Sequence, residues 1–265
     1  MMAFFISVPI IAYFSMIAFK RMNLSVKNYE GKDVPYSLGV LIFYSYSFLY
    51  AYPPHINPAF SVASFAFLLS IWLFGLLDDV YGKPYPKGLK GHMMYFFKNH
   101  ILTTGLLKAG GTIVAAILFL WVSELRSYFA YVVAFLLITG LPHVMNLFDT
   151  RPLRVWKLTV SLTILIMIFN PLPSFLFVLM LLMVFYIWYV LEGSRKAMLG
   201  DNGATVVGAI LAVVVVNHVS FSVQYSFLVF VLAMILVAEK YSFSAFIEKS
   251  RFLRTIDQIG IIKKG

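Results

Sequence analysis

The chain has 265 residues, of which 61% are hydrophobic and only 12% charged, with a mean hydropathy of +0.88. An ordinary soluble domain carries roughly 45–50% apolar and about 25% charged residues, so this composition excludes a water-soluble fold. There is no cysteine, which removes disulfide frameworks, thiolate metal sites and thiol nucleophiles and leaves any metal to oxygen or imidazole ligands. The net charge of +10 would suit nucleic acid as well as anionic lipid headgroups and anionic substrates, and the placement of the basic residues decides between them.

The apolar residues come in long runs, and a run of about 18 or more can cross the hydrocarbon core of a bilayer as a helix. In chain order the expected spans are 3–19, 36–51, 59–77, 106–122, 128–145, 157–170, 174–190, 204–217 and 224–239. The expected fold class is all-α, a polytopic transmembrane helical bundle of about nine spans. Spans two and eight are short for a bilayer and are read as extending into polar flanks or as partly re-entrant. The first span lacks the basic n-region and small-residue cleavage site of a signal peptide.

With the N-terminus outside, segments 20–35, 78–105, 146–156, 191–203 and 240–265 lie in the cytoplasm. Together with their helix edges they hold 20 of the 21 Lys and Arg residues, and only Arg126 falls outside. This bias fixes the orientation by the positive-inside rule and explains the net charge without nucleic acid as a partner. The outer connections are short and mostly uncharged, which leaves the cytoplasmic loops as the site.

The first of three acidic motifs closes the third span as Leu76-Leu77-Asp78-Asp79-Val80-Tyr81-Gly82. Successive helical residues point about 100° apart, so the two carboxylates serve different directions: one faces a metal while its neighbour accepts a proton or anchors a lysine. A polar helix end at the interface is the plain alternative.

Basic residues follow at Lys83, Lys87, Lys90 and Lys98, with His92 among them, and Lys108 opens the fourth span behind Thr103-Thr104-Gly105. An ammonium beside the carboxylates can neutralise a diphosphate, although snorkelling lysines are common at this depth. Lys90 and His92 join the candidate substrate-binding set. His92 is read as a polar contact rather than a metal ligand, since no second histidine stands at ligand spacing.

The second motif, Asn146-Leu147-Phe148-Asp149-Thr150-Arg151-Pro152-Leu153-Arg154, follows the fifth span. Asn146 and Asp149 share a helical face at i and i+3, and Arg151 and Arg154 repeat that spacing with guanidiniums suited to phosphate oxygens. An ordinary Asp-Thr-Arg-Pro turn with positive-inside arginines is the alternative. The third motif, Gly200-Asp201-Asn202-Gly203, leads into the eighth span, where glycines permit close approach and a helix N-terminus offers N–H groups to phosphate. Here the alternative is a simple cap by Asp201 or Asn202.

Carboxylates converging from different helices can hold magnesium, which takes one or two carboxylates and completes its shell with water and substrate phosphate oxygens. The tail from Lys240 onward spaces Phe246, Ile247, Phe252, Leu253, Ile256 and Ile259 between Lys249, Arg251 and Arg254. It reads as an amphipathic helix on anionic membrane lipids, separate from the membrane domain 1–239.

A span ending in Asp-Asp, a later Asn-x-x-Asp and a Gly-Asp-Asn-Gly before another span, in this order and on one side, resemble the polyprenyl-phosphate N-acetylhexosamine-1-phosphate transferases. The resemblance covers roughly residues 70–210. It implies a magnesium-dependent membrane transferase, with manganese as a substitute ion, moving a sugar 1-phosphate from a UDP-sugar to polyprenyl phosphate with release of UMP. It places catalytic roles on Asp78, Asp79 and Lys108, the metal on Asp201, and substrate binding on Asn146, Asp149 and Asn202, to which the arginines 151 and 154 are added. A bacterial cytoplasmic membrane, a cytoplasm-facing site, a role in cell-wall biogenesis and a homodimer are the accompanying expectations. The family loop usually continues Asp-Gly-x-Asp-Gly, whereas this chain reads Asp149-Thr150-Arg151-Pro152-Leu153-Arg154 and lacks the second aspartate, so a divergent branch acting on another sugar nucleotide is expected. Rival readings are a catalytically inactive scaffold, an aromatic prenyltransferase and a lipid or solute transporter.

Overall fold

The computed structural model describes residues 1–262 apart from 29, 53–57, 84–87 and 126. It is helical throughout, with one small hairpin. In chain order the elements are α1 (Met2–Arg21), β1 (Ser25–Lys27), β2 (Asp33–Pro35), α2 (Leu38–Ala51), α3 (Val62–Tyr81), α4 (Gly88–Asn99) and α5 (Thr104–Trp121). They continue with α6 (Tyr128–Phe148), α7 (Arg154–Ile168), α8 (Phe175–Gly193), α9 (Gly200–His218), α10 (Phe221–Lys240), α11 (Phe243–Lys249) and α12 (Arg251–Gln258). The strands pair antiparallel, Ser25 opposite Pro35.

Each of the nine expected spans coincides with a helix, and seven of those helices are long and apolar enough to cross a membrane. The remaining two, α2 and α7, have 14 and 15 residues, against the roughly 20 that a full crossing takes. Span eight, expected to be short, is a full helix of 19 residues because it begins at Gly200, inside the third motif. The basic segment after α3, read as a loop, contains the 12-residue helix α4. Large apolar side chains stand exposed on the outer faces, among them Ile117, Leu118, Trp121 and Phe129 on α5 and α6 and Leu182 and Leu236 on α8 and α10. A surface of this kind calls for hydrocarbon rather than water around it.

Helix α9 is the axis of the bundle. Its window is 78% buried where those of the other six long helices are 17–50% buried, and it packs against α6, α3, α2 and α7. Small residues make this possible, as in close-packed membrane helices generally. A Cβ on Gly208 would lie 2.5 Å from the carbonyl oxygen of Leu141 on α6, and one on Gly75 of α3 would lie 2.6 Å from the Cα of Asn202.

The tail is not a free amphipathic helix. It breaks into α11 and α12 and docks on the ends of α7 and α8, where the Ile262 N–H donates to the Gly193 carbonyl at 3.1 Å.

Candidate functional site

Three helices bring their charged ends to one place. Asp78 stands in the last turn of α3, Lys108 in the first turns of α5 and Asp201 in the first turn of α9. The Lys108 Nζ lies 2.6 Å from Asp78 Oδ2 and 2.5 Å from Asp201 Oδ2, so one ammonium bridges two carboxylates from elements far apart in the chain. The three side chains are 15%, 17% and 33% exposed for Asp78, Lys108 and Asp201, which makes Asp201 the most open of the set. Thr104, one turn before Lys108, adds a side-chain hydrogen bond to Asp78.

Asp79 points elsewhere, as the helical geometry of adjacent residues requires. Its Oδ1 accepts the Asp201 N–H at 2.9 Å, and its Oδ2 accepts the Asn202 N–H at 2.8 Å and the Asn202 side-chain amide at 2.6 Å. Asp149, the residue that ends α6, accepts the N–H of Gly200. Two carboxylates from two other helices thus cap the first three N–H groups of α9, satisfying donors that a helix start leaves open. This corrects the reading of that helix start as a set of free N–H groups offered to phosphate, and equally the alternative of a cap by Asp201 or Asn202 themselves. Gly200 makes the approach possible: its φ is +65°, and a Cβ there would sit 2.9 Å from Asp79 Oδ2 and 2.7 Å from Tyr36 Cβ.

Asn202 is fully buried, and its amide also donates to the Tyr36 carbonyl at 3.1 Å. It belongs to the frame of the site rather than its open face. The segment before α9 is pinned in the same region, Met198 N–H to the Pro35 carbonyl at 2.9 Å and Leu38 N–H to the Met198 carbonyl at 3.2 Å.

Burial, with Glu192, Asp201 and Asp79 near it, pushes the Asp149 carboxyl well above the ordinary carboxylate range against the pull of the Gly200 N–H. Glu192 is 3% exposed on α8 and accepts from Trp188 Nε1 at 2.8 Å. Sequence reasoning missed Glu192, which sits in an apolar run with no motif around it. It missed His143 as well, which is exposed on α6 and within electrostatic reach of Lys108 and Glu239. The spacing His143-x-x-Asn146 on one helical face was the signal that could have found it.

The arginines 151 and 154 go to the tail. Arg154, 4% exposed, makes a bidentate pair with Asp257 at 2.6 and 2.8 Å and donates from Nη1 to Thr150 and Ser244 at 2.7 and 2.9 Å. Arg151 pairs with Glu248, and Lys157 Nζ donates to the carbonyls of Ile256 and Asp257, both at 2.8 Å. The Arg154 guanidinium is thus committed to Asp257, Thr150 and Ser244. His92 on α4 meets Thr103 Oγ1 at 2.8 Å, and Thr103 caps α5 through the Leu106 N–H at 3.2 Å. Asn146 lies half-buried in the last turn of α6. The Lys90 side chain lies outside the described residues.

Comparison with protein-family models, with curated proteins and with solved structures finds no match to this chain. What the cluster can do follows from its own chemistry. Among the described residues no group of three or more His, Asp or Glu forms a ready-made metal cage. Lys108 stands between Asp78 and Asp201, and the carboxyl groups of Asp79 and Asp149 lie within electrostatic reach of Asp201 behind that pair.

Proposed function

We propose that this chain is a membrane transferase that moves a sugar 1-phosphate from a UDP-sugar to polyprenyl phosphate and releases UMP, with its charged end facing the cytoplasm of a bacterial cell. The observation that supports it is the convergence of Asp78, Lys108 and Asp201 from three helices, at the end of the bundle where the basic residues gather. Both substrates are anions, and a site that joins them must supply positive charge and a group to hold the attacking phosphate.

In this reading the carrier phosphate oxygen attacks the sugar-proximal phosphorus, a new P–O bond forms, and the bond to UMP breaks. Asp78 positions the carrier phosphate and Lys108 adds charge beside it. Asp201, with Asp78 next to it, fits a magnesium ion completed by water and diphosphate oxygens. When bound, such an ion would neutralise the diphosphate and stabilise charge on the transferring group. Asp79 and Asp149 act by holding the start of α9, and His143 stands within electrostatic reach of Lys108.

The test is UMP release by detergent-purified protein given undecaprenyl phosphate, magnesium and a panel of UDP-sugars, with Asp201→Asn beside it. Lipid-dependent release lost in the variant supports the transferase and names its donor. A second reading, an inactive scaffold of the same ancestry, is favoured by the engagement of both loop arginines with the tail. Folded protein that turns over no donor would shift the assignment to it.

A further inference from the structure

Opposite the charged cluster the bundle holds a cavity of about 470 Å³. It lies between α1, α2, α7, α8 and α9 and is apolar along most of its wall. On α8 its lining runs from Phe177 to Trp188 and on α9 from Val207 to His218. At 1.5 Å per residue these stretches make it about 16 Å long. An extended carbon chain, which keeps about 4 Å from its neighbours in van der Waals contact and fills a section on the order of 20 Å², fits within it. With bonds of about 1.5 Å, a length of ~16 Å holds roughly a dozen carbons.

The two ends differ. Towards the cluster the cavity is floored by Trp188, fully buried and tied to Glu192. At the far end the lining includes Asn170, Pro171, Pro173 and His218, of which Pro171 is exposed and the others half-buried. Ser45, Thr159 and Thr163 are the other hydroxyl-bearing residues of the wall besides Tyr46. A narrow apolar tube, closed towards the charged end and polar at its far rim, is the shape that accepts one hydrocarbon chain with its headgroup left outside.

We propose that this cavity is a lipid site that takes one acyl chain of a phospholipid from the leaflet opposite the Asp78–Lys108–Asp201 cluster, chain end at Trp188 and headgroup at the rim of Asn170 and His218. The rim of Asn170 and His218 lies at the end of the bundle away from Lys108, so a headgroup left outside it sits in the leaflet opposite the cluster. The site is independent of the transferase reading.

The test uses Trp188 as the reporter. The chain has four tryptophans, and a variant with Trp72, Trp121 and Trp156 changed to Phe keeps Trp188 alone. It is placed in phosphatidylcholine vesicles whose chains carry bromine either near the carbonyl or near the methyl end. Methyl-end bromines are expected to quench Trp188 by more than half and carbonyl-end bromines far less, with the Val184→Phe/Val214→Phe change abolishing the difference by filling the tube. In parallel, native mass spectrometry of the otherwise unaltered protein after detergent washing is expected to show one retained phospholipid, absent from the filled variant. No quenching from either bromine position, quenching that survives filling, or a retained polyprenyl phosphate in place of a phospholipid would each overturn the proposal.

Discussion

Asp79 gives both carboxylate oxygens to the start of α9, one to the Asp201 N–H at 2.9 Å and one to Asn202, main chain and side chain together. Its neighbour Asp78 gives its carboxylate to Lys108. The adjacent acids therefore do separable work. Asp79→Ala is expected to cost about 2 kcal/mol of stability, since it strips partners from an inner helix start. Asp78→Asn is expected to leave the folded state in place and to remove turnover. Melting in detergent and UMP release, measured on both variants, check the pair.

Lys108 balances two acids with little water around it. Removing one member of a buried ion pair costs about 3–5 kcal/mol, because the remaining charge is left without compensation. Lys108→Met should melt well below the parent, and Lys108→Met combined with Asp78→Asn should recover part of the loss. Millimolar magnesium should raise the melting point of Lys108→Met more than that of the parent, as an added cation replaces the missing ammonium between Asp78 and Asp201.

The tail is held by a buried bidentate pair. Asp257→Ala leaves the Arg154 guanidinium without its carboxylate and is expected to destabilise by about 3 kcal/mol or more. Arg154→Lys should behave similarly, because an ammonium cannot reproduce the fork. Limited proteolysis reads the outcome as earlier cleavage after α10 in both variants, with the helices of the bundle still protected.

Asp149 sets a pH dependence with a definite sign. Its folded pKa lies above that of the unfolded chain, where an aspartate ionises near 3.9. The folded state then holds the proton more tightly, so this group's effect on stability is most favourable below about pH 4 and declines as pH rises through the folded pKa. Asp149→Asn keeps an acceptor for the Gly200 N–H and should flatten the melting-point profile above pH 4. An equal slope in parent and variant would assign the dependence to another group.

The absence of native cysteine makes sidedness directly measurable. Lys98→Cys, in the last turn of α4, and Leu172→Cys, in the connection between α7 and α8, should react with a membrane-impermeant thiol reagent from opposite sides of sealed vesicles. Labelling of both from one side would contradict the bundle topology.

The apolar runs at 3–19 through 224–239 were enough to position nine helices, because burying backbone polar groups in hydrocarbon leaves a helix little alternative. The meeting of Asp78, Lys108 and Asp201 was also legible, since all three stand at helix ends on one side. What could not be read was who satisfies whom. Asp79 and Asp149 lie 122 and 51 residues from the N–H groups they cap, and no local pattern signals a cap supplied from so far away. Arg154 looked like a phosphate ligand because its partner, Asp257, lies 103 residues on. Helix α4 was hidden by its lysines, which made an amphipathic turn resemble a loop.

The way α9 begins also dictates when the site can exist. Its first turn is held by Asp79 from the third helix, Asp149 at the end of the sixth and the backbone around Tyr36, while Lys108 arrives from the fifth. During synthesis the helices before α9 are made first, yet none of them holds a finished cluster until α9 packs in among them. A fragment ending before residue 200 carries at most the Asp78–Lys108 pair, and the two halves of the chain, expressed separately, should acquire the full cluster only after they associate.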